Sequence, residues 1–313
     1  VGIVFYGVFL VSEGTVSMGG MVAAVLLSSR TLAPLAQIAN LFGRANNAKT
    51  SYKRLASFME ETEDDDVSRK NESAIRREKL GSLEFKDTSY RYPEADLDTL
   101  RGINIKINEG EKVAILGRNG SGKSTLMKLA SGLFKATDGL VLYDGVDIKQ
   151  LHTKDLSRSI GIVLQDVQLF SGTVRENITM GREDISQDDL IEAGKLSGLD
   201  EFISKIPGGY DLQLLDGGKG LSGGQRQAIA LTRAIVHKPS HFILDEPTSA
   251  MDMNAENLFI NQVGKILKDS TMLIVTHRMP LLNLVDRIIV MNEGQIVEDG
   301  PKDEIIQKLN QQR

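Results

Sequence analysis

The stretch that most constrains this chain runs from Gly117 to Thr125, Gly-Arg-Asn-Gly-Ser-Gly-Lys-Ser-Thr. It fits the pattern G-x-x-x-x-G-K-[ST], with Gly117, Gly122, Lys123 and Ser124 at the fixed positions. Upstream, Lys-Val-Ala-Ile-Leu at 112–116 reads as a short buried strand, and 124–131 opens an apolar-periodic helix. A loop between such elements can wrap a polyphosphate with backbone N–H groups, provided its tightest points carry no side chain larger than hydrogen. The helix start adds partial positive charge at the same place. On this reading Gly117, Asn119, Gly120, Ser121, Gly122 and Thr125 belong to the cradle. Lys123 reaches the β- and γ-phosphates, and the Ser124 hydroxyl ligates Mg²⁺. The sequence therefore predicts a nucleoside triphosphate site.

The rest of the composition narrows the surroundings. The chain has 313 residues, a net charge of −5, no cysteine and four scattered histidines. Thiol catalysis and zinc–thiolate sites are excluded, the histidines form no metal-ligand pattern, and the charge argues against a nucleic-acid partner. The first residue is Val1, inside an apolar run, so the chain reads as the C-terminal part of something longer. Residues 1–11 are almost wholly apolar, and a second apolar stretch covers 16–42 with Arg30 inside it. The second is long enough, at ~1.5 Å per residue, to cross ~30 Å of hydrocarbon. A soluble helical hairpin with one buried face is the competing reading. Arg44, Lys49, Lys53 and Arg54 follow, as the positive-inside rule expects of a cytoplasmic end. Residues 60–80 are dominated by charge and read as a linker. The expected division is therefore the end of a transmembrane domain at 1–59, that linker, and a nucleotide-binding domain at 81–313.

From Gly81 onward strand and helix signals alternate. Leu83–Phe85 and Ile103–Ile107 alternate as half-exposed strands do. Continuous apolar runs at 112–116, 160–164, 242–244 and 272–275 suit a parallel sheet buried on both faces. Helical patterns cover 187–197, 224–236 and 254–267. The expected fold is α/β, a P-loop core with an added antiparallel portion and a helical subdomain. One apolar run ends in two carboxylates, Asp245 and Glu246. At a strand end beside a phosphate loop, the first can orient Mg²⁺ and the second can act on water.

Leu221-Ser-Gly-Gly-Gln225 gives the pattern a family. Together with the phosphate loop it resembles the ATP-binding cassette (ABC) transporters. Physically, Ser222, Gly223, Gly224 and Gln225 form a second anion-binding helix start. The resemblance covers roughly residues 81–309 and carries further motifs. It implies that Tyr92 stacks on adenine, that Gln165 touches Mg²⁺ and takes part in catalysis, and that Asp252 belongs to a D-loop at 249–252. It also implies that His277 is the switch histidine, steadying water and the γ-phosphate. Catalysis would then fall to Glu246, His277, Lys123 and Gln165, with Ser124, Gln165 and Asp245 around the metal. One segment departs from the exporter pattern: Leu215-Asp-Gly-Gly218 replaces the usual Gly-Glu-Arg-Gly, leaving Asp216 as the carrier of any cross-talk there.

The N-terminal part resembles the last two transmembrane helices of a bacterial exporter. Residues 17–24, 32–36, 248–252 and 281–291 are similar to type I secretion permease/ATPases, with Met251 the sharpest local sign. That likeness implies a homodimer in the bacterial inner membrane with its ATP-binding domain in the cytoplasm. It also implies a periplasmic adaptor, an outer-membrane channel and a large secreted protein such as an adhesin or toxin as cargo. Export of a lipid or small peptide is one alternative. A soluble ABC ATPase acting on ribosomes or DNA is another, of a different class.

Overall fold

The computed structural model describes residues 2–62, 74–249, 251–268 and 270–311. The chain divides into two compact units, 1–68 and 69–313. Most of the stretch expected to be a linker, residues 63–73, lies outside the described residues, as does Ala250 of the expected D-loop.

In the first unit, α1 (Gly2–Ser12) and α2 (Met18–Thr62) are joined by a tight turn. α1 buries none of its side chains, and Phe5, Tyr6 and Phe9 are exposed. α2 runs unbroken for 45 residues through Pro34. Among the described residues no helix is long and apolar enough to cross a membrane. The expectation of a spanning helix at 16–42 is therefore not met by hydropathy. Ser28, Ser29, Arg30 and Thr31 interrupt the apolar run, and the three hydroxyls turn back onto the carbonyls of Ala24, Leu26 and Leu27. Such back-bonding satisfies a hydroxyl without water.

The second unit is built on two large sheets and one two-stranded ribbon. β1 (Leu83–Tyr90), β2 (Leu100–Ile107), β3 (Lys112–Gly117), α3 (Lys123–Ala130), β4 (Asp138–Tyr143) and β5 (Val146–Asp147) open it. Next come α4 (Thr153–Ser159), β6 (Ile160–Val163), β7 (Gly172–Thr173), α5 (Val174–Thr179), α6 (Gln187–Ser197), α7 (Asp200–Ile203), β8 (Gln213–Leu214) and α8 (Gly223–Ile235). β9 (His241–Asp245), α9 (Met253–Ile266), β10 (Thr271–Val275), β11 (Arg287–Asn292), β12 (Gln295–Pro301) and α10 (Lys302–Gln311) close it. β2-β1-β4-β5 form the antiparallel sheet; β12-β11-β3-β10-β9-β6 form the main sheet, parallel except for β12.

The parallel strands are buried on both faces, which is why they read as unbroken apolar runs. Alternate residues face two different cores. Val113, Ile115, Ile243, Leu273 and Val275 pack toward the antiparallel sheet and α3. Ala114, Leu244, Met272 and Ile274 pack against the helices that include α8 and α9. The strand register sets Val275 beside both Ile115 and Asp245, and Leu244 beside Val163. Thus the carboxyl ends of β3, β6, β9 and β10 open onto one edge, where ligands of open α/β sheets bind. β1 is longer than its alternation suggests. A register shift occurs around Asp87, whose φ is 45°, and restores Thr88 and Tyr90 to the buried face.

Three histidines have ordinary structural contacts, although the Nε2 of His241 is buried without a hydrogen-bond partner among the described residues. His152 caps α4 by accepting from the Lys154 N–H, His237 pairs with Arg182 at 3.1 Å, and His241 meets Ser240 and the edge of Tyr143.

Candidate active site

β3 ends at Gly117, and the phosphate loop leads directly into α3. Two of its glycines are required by geometry. A Cβ on Gly117 (φ 152°) would lie 2.3 Å from the Met291 carbonyl oxygen, and one on Gly122 (φ 96°) would lie 2.5 Å from Leu100. Inside the loop Lys123 is almost buried, its ammonium donating to the carbonyls of Gly117 (2.8 Å) and Arg118 (2.9 Å). Burial pushes its pKa down, while the nearby Glu246 and Asp245 carboxylates push it back up. A cation that holds only carbonyl dipoles, with two acids close by, suits an anionic ligand that is to be neutralised.

β9 delivers the two acids. Asp245 is 5% exposed, and its Oδ1 has no hydrogen-bond partner. Burial raises its pKa; Ser124 and Lys123 pull it down, and Glu246 works with burial. A buried carboxylate oxygen without a donor is costly unless a cation takes that place. Ser121 Oγ, in the loop, is likewise buried and unpartnered. These residues fit Mg²⁺ bound with phosphates: hard oxygen donors, few in number, leaving room for water and phosphate oxygens.

Glu246 has φ 45°, a left-handed conformation that is uncommon for a residue with a side chain. Its N–H donates to the Val275 carbonyl at 2.9 Å, tying it to the end of β10. Its side chain then meets two loops. Gln165 Nε2 lies 3.4 Å from Glu246 Oε2, and His277 Nε2 lies 3.5 Å from Glu246 Oε1. The glutamine follows β6 and the histidine follows β10, so the strand order itself brings them to the acid.

Tyr92 meets the first turn of α3. Its hydroxyl is 3.1 Å from Thr125 Oγ1, and its ring meets Tyr90 and Phe134 edge-on at centroid distances of 5.1 and 5.6 Å. Lys128 lies 5.0 Å over Phe134. Phe134 went unnoticed in the sequence, where a lone aromatic in a loop carries no pattern.

Two sets of expected residues are not brought to the phosphate loop. Ser222 caps α8: its Oγ accepts from the Gln225 N–H at 3.2 Å and the Gln225 side chain accepts from the Ser222 N–H at 2.8 Å. Asp252 caps α9 through the Ala255 N–H at 2.8 Å. Among the described residues no hydrogen bond or ion pair joins either cap to residues 117–125. The departing segment at 215–218 is attached instead to the glutamine loop, through the Gly217 N–H and the Leu169 carbonyl at 3.0 Å.

Other anchoring residues were missed. Arg233 of α8 donates to the carbonyls of Asn177 (2.7 Å) and Gln168 (3.2 Å), fixing the far end of the glutamine loop. Arg278 and Glu256 form a 3.0 Å ion pair behind His277. Neither pair of partners is near in sequence, so no local pattern announces them. The capping box Thr173/Glu176 of α5 did have a signal, Thr-x-x-Glu ahead of an apolar residue.

Besides the phosphate loop the domain carries a second glycine-rich helix start, capped by Ser222, that among the described residues makes no hydrogen bond to 117–125. The fold and site define an ABC-class ATP-binding domain. A family model for the ABC transporter matches residues 100–249, and the chain carries the ATP-binding domain of that family. It is 37% identical over 302 residues to the "Alpha-hemolysin translocation ATP-binding protein HlyB" of Escherichia coli O157:H7, covering 96% of this chain and 42% of that protein. It is 36% identical over 304 residues to the "Leukotoxin translocation ATP-binding protein LktB" of Mannheimia haemolytica, covering 97% and 42%. With the "Cyclolysin secretion/processing ATP-binding protein CyaB" of Bordetella pertussis it shares 36% over 305 residues, again 97% and 42%. The chain thus spans less than half the length of the curated relatives it matches. Among solved structures, a bacterial Atm1-family ABC exporter with ATP bound superposes with a TM-score of 0.68 at 31% identity, over 73% of this chain and 40% of that one.

Proposed function

We propose that this chain is the motor portion of a type I protein exporter, hydrolysing ATP to move a large protein out of the bacterial cytoplasm. The observation that carries hydrolysis is the meeting of Gln165, Glu246 and His277 at the mouth of the phosphate loop. The likeness to three toxin-translocation ATP-binding proteins supports the cargo class. On this reading 1–59 ends a membrane domain, 60–80 links it, and 81–313 is the cassette. Adaptor, outer-membrane channel and secreted protein are its partners.

ATP is the substrate. Gly117–Thr125 hold its phosphates, and Tyr92 stacks on the base. Ser124, Asp245 and Gln165 hold Mg²⁺, which when bound neutralises phosphate charge and fixes the phosphate geometry. Glu246 accepts a hydrogen bond from the attacking water and draws off its proton, while His277 steadies that water from the neighbouring strand. Lys123 leaves the loop carbonyls for the phosphate oxygens and balances the charge that develops. Ser222–Gln225 and Asp252 complete the site of a second copy; among the described residues they make no hydrogen bond to the loop of their own chain.

Tyr92→Ala is expected to weaken ATP binding about tenfold, base–aromatic stacking being worth ~1–3 kcal/mol. Tyr92→Phe keeps the ring, gives up only the Thr125 contact and should stay within about twofold. Equilibrium nucleotide titration compares them; equal losses in both would move the role from ring to hydroxyl. For the function as a whole, the full-length protein is purified from membranes in detergent. It should hydrolyse Mg-ATP and retain a co-expressed large secreted protein. Extraction without detergent, or purification bound to ribosomes or DNA, would replace this reading with the soluble one.

A further inference from the structure

Resting on the reading above, we propose that Arg278 is a positioning residue for hydrolysis, latching Thr248, Ser249 and Met251 to the strand end that carries His277. The geometry is specific. Glu256, in the first turn of α9, is 6% exposed, and both its oxygens are engaged. Oε1 accepts from the Thr248 hydroxyl at 2.8 Å and Oε2 accepts from Arg278 Nη1 at 3.0 Å. The second guanidinium nitrogen, Nη2, donates to the carbonyls of Ser249 (3.4 Å) and Met251 (3.5 Å). The Arg278 N–H donates to Thr276 Oγ1 at 3.0 Å, so the backbone on both sides of His277 is fixed.

The contacts close a circuit. Glu246 is bonded to Val275 through its backbone and approaches His277 through its side chain. Three residues later Arg278 returns to Thr248, two residues beyond Glu246, by way of Glu256. Arg278 spreads these contacts over two nitrogens of one rigid fork; a lysine ammonium has three donors, but on a single nitrogen at the end of a flexible stem, and cannot occupy both places at once. Among the described residues Arg278 makes no hydrogen bond to residues 117–125. Its loss should therefore alter the placing of His277 and Glu246 more than the grip on nucleotide. The same latch orients Met251 and Asp252 at the exposed end of the loop, where a second copy would meet them.

The test compares Arg278→Ala, Arg278→Lys and Arg278→Ala/Glu256→Gln in the full-length protein, with Glu246→Gln in parallel. Arg278→Ala should lower kcat at least tenfold and leave KM for ATP within about twofold, and lysine should recover only part. Alanine leaves Glu256 buried without its cation and endangers folding. The double variant removes that orphaned charge, so its thermal stability should return while kcat stays low. A merely structural role predicts the reverse, kcat returning with stability. If the double variant is also unfolded, Arg278→Lys decides. In either folded variant, a kcat within threefold of wild type overturns the latch. The parallel variant separates the two readings: normal hydrolysis by Glu246→Gln would remove the proposed hydrolytic mechanism itself. An inactive Glu246→Gln beside a fully active Arg278 variant would remove the latch alone.

Discussion

Replacing Glu246 by glutamine is expected to leave Mg-ATP bound with affinity within a few-fold of wild type while cutting turnover by about 10²–10⁴, the usual contribution of a positioned general base. The amide preserves the shape of the side chain, and both residues bear the same cost of the left-handed backbone at φ 45°. What disappears is the negative charge proposed to polarise water. Asp245 and Lys123, the groups proposed to hold metal and phosphate, are untouched, so binding has no reason to fail. Glu246 is also the point where two loops meet, at 3.4 Å from Gln165 and 3.5 Å from His277. The amide can still meet Gln165 and His277 by rotating, so their placement should survive. Single-turnover hydrolysis with radiolabelled ATP is the measurement. A rate within a few-fold of wild type would take Glu246 out of the chemistry and leave the site without its base.

That such an experiment can be framed from the sequence reflects how parallel strands are written. Strands buried on both faces appear as short apolar runs, and those runs stop where the sheet opens to solvent. Asp245 and Glu246 therefore mark a strand end, as do Gly117 and the approach to His277. The structure adds what spacing cannot: Glu246 is bonded to Val275, on the adjacent strand, and has turned toward His277. α6 was legible over its full length, because Ser186 caps its start and Gly198, at φ 77°, ends it. β1 was only half legible, since the shift at Asp87 breaks the alternation that announces a strand. β7 and β8 have two residues each and no period to read. Arg278 and Glu256 lie 22 residues apart on different elements, so their pairing needs the fold. The hydropathy of 16–42 is a different case. The hydroxyls of Ser28, Ser29 and Thr31 are satisfied within the helix, which averaging over a window does not register.

The shared site gives the test with the largest contrast. Let Lys123→Ala and Ser222→Arg be placed on opposite subunits of a forced dimer. If each site joins one subunit's phosphate loop to the other's Ser222 helix, both defects fall in one site and the second remains whole. With both changes on one subunit beside a wild-type partner, each site receives one defect. Self-contained sites predict the opposite outcome: the opposite-subunit dimer has none intact, and the same-subunit dimer has one. The structure gives a reason to expect sharing. Ser222 and Gln225 cap a helix start that, among the described residues, makes no hydrogen bond to the loop of its own chain. An anion-binding helix start has little use there unless a phosphate reaches it from a partner. Ser222→Arg also removes a cap worth ~1 kcal/mol. That cost is the same in both arrangements, because each dimer carries the same two changes, so it cannot produce a difference between them. The measurement is tightly held ATP per dimer, in a Glu246→Gln background that keeps hydrolysis from emptying the site. About one ATP is expected in the opposite-subunit dimer and close to none in the same-subunit dimer. More ATP in the same-subunit dimer than in the other would sink the shared site, and with it the assignment of Ser222 and Asp252 to a neighbour's nucleotide.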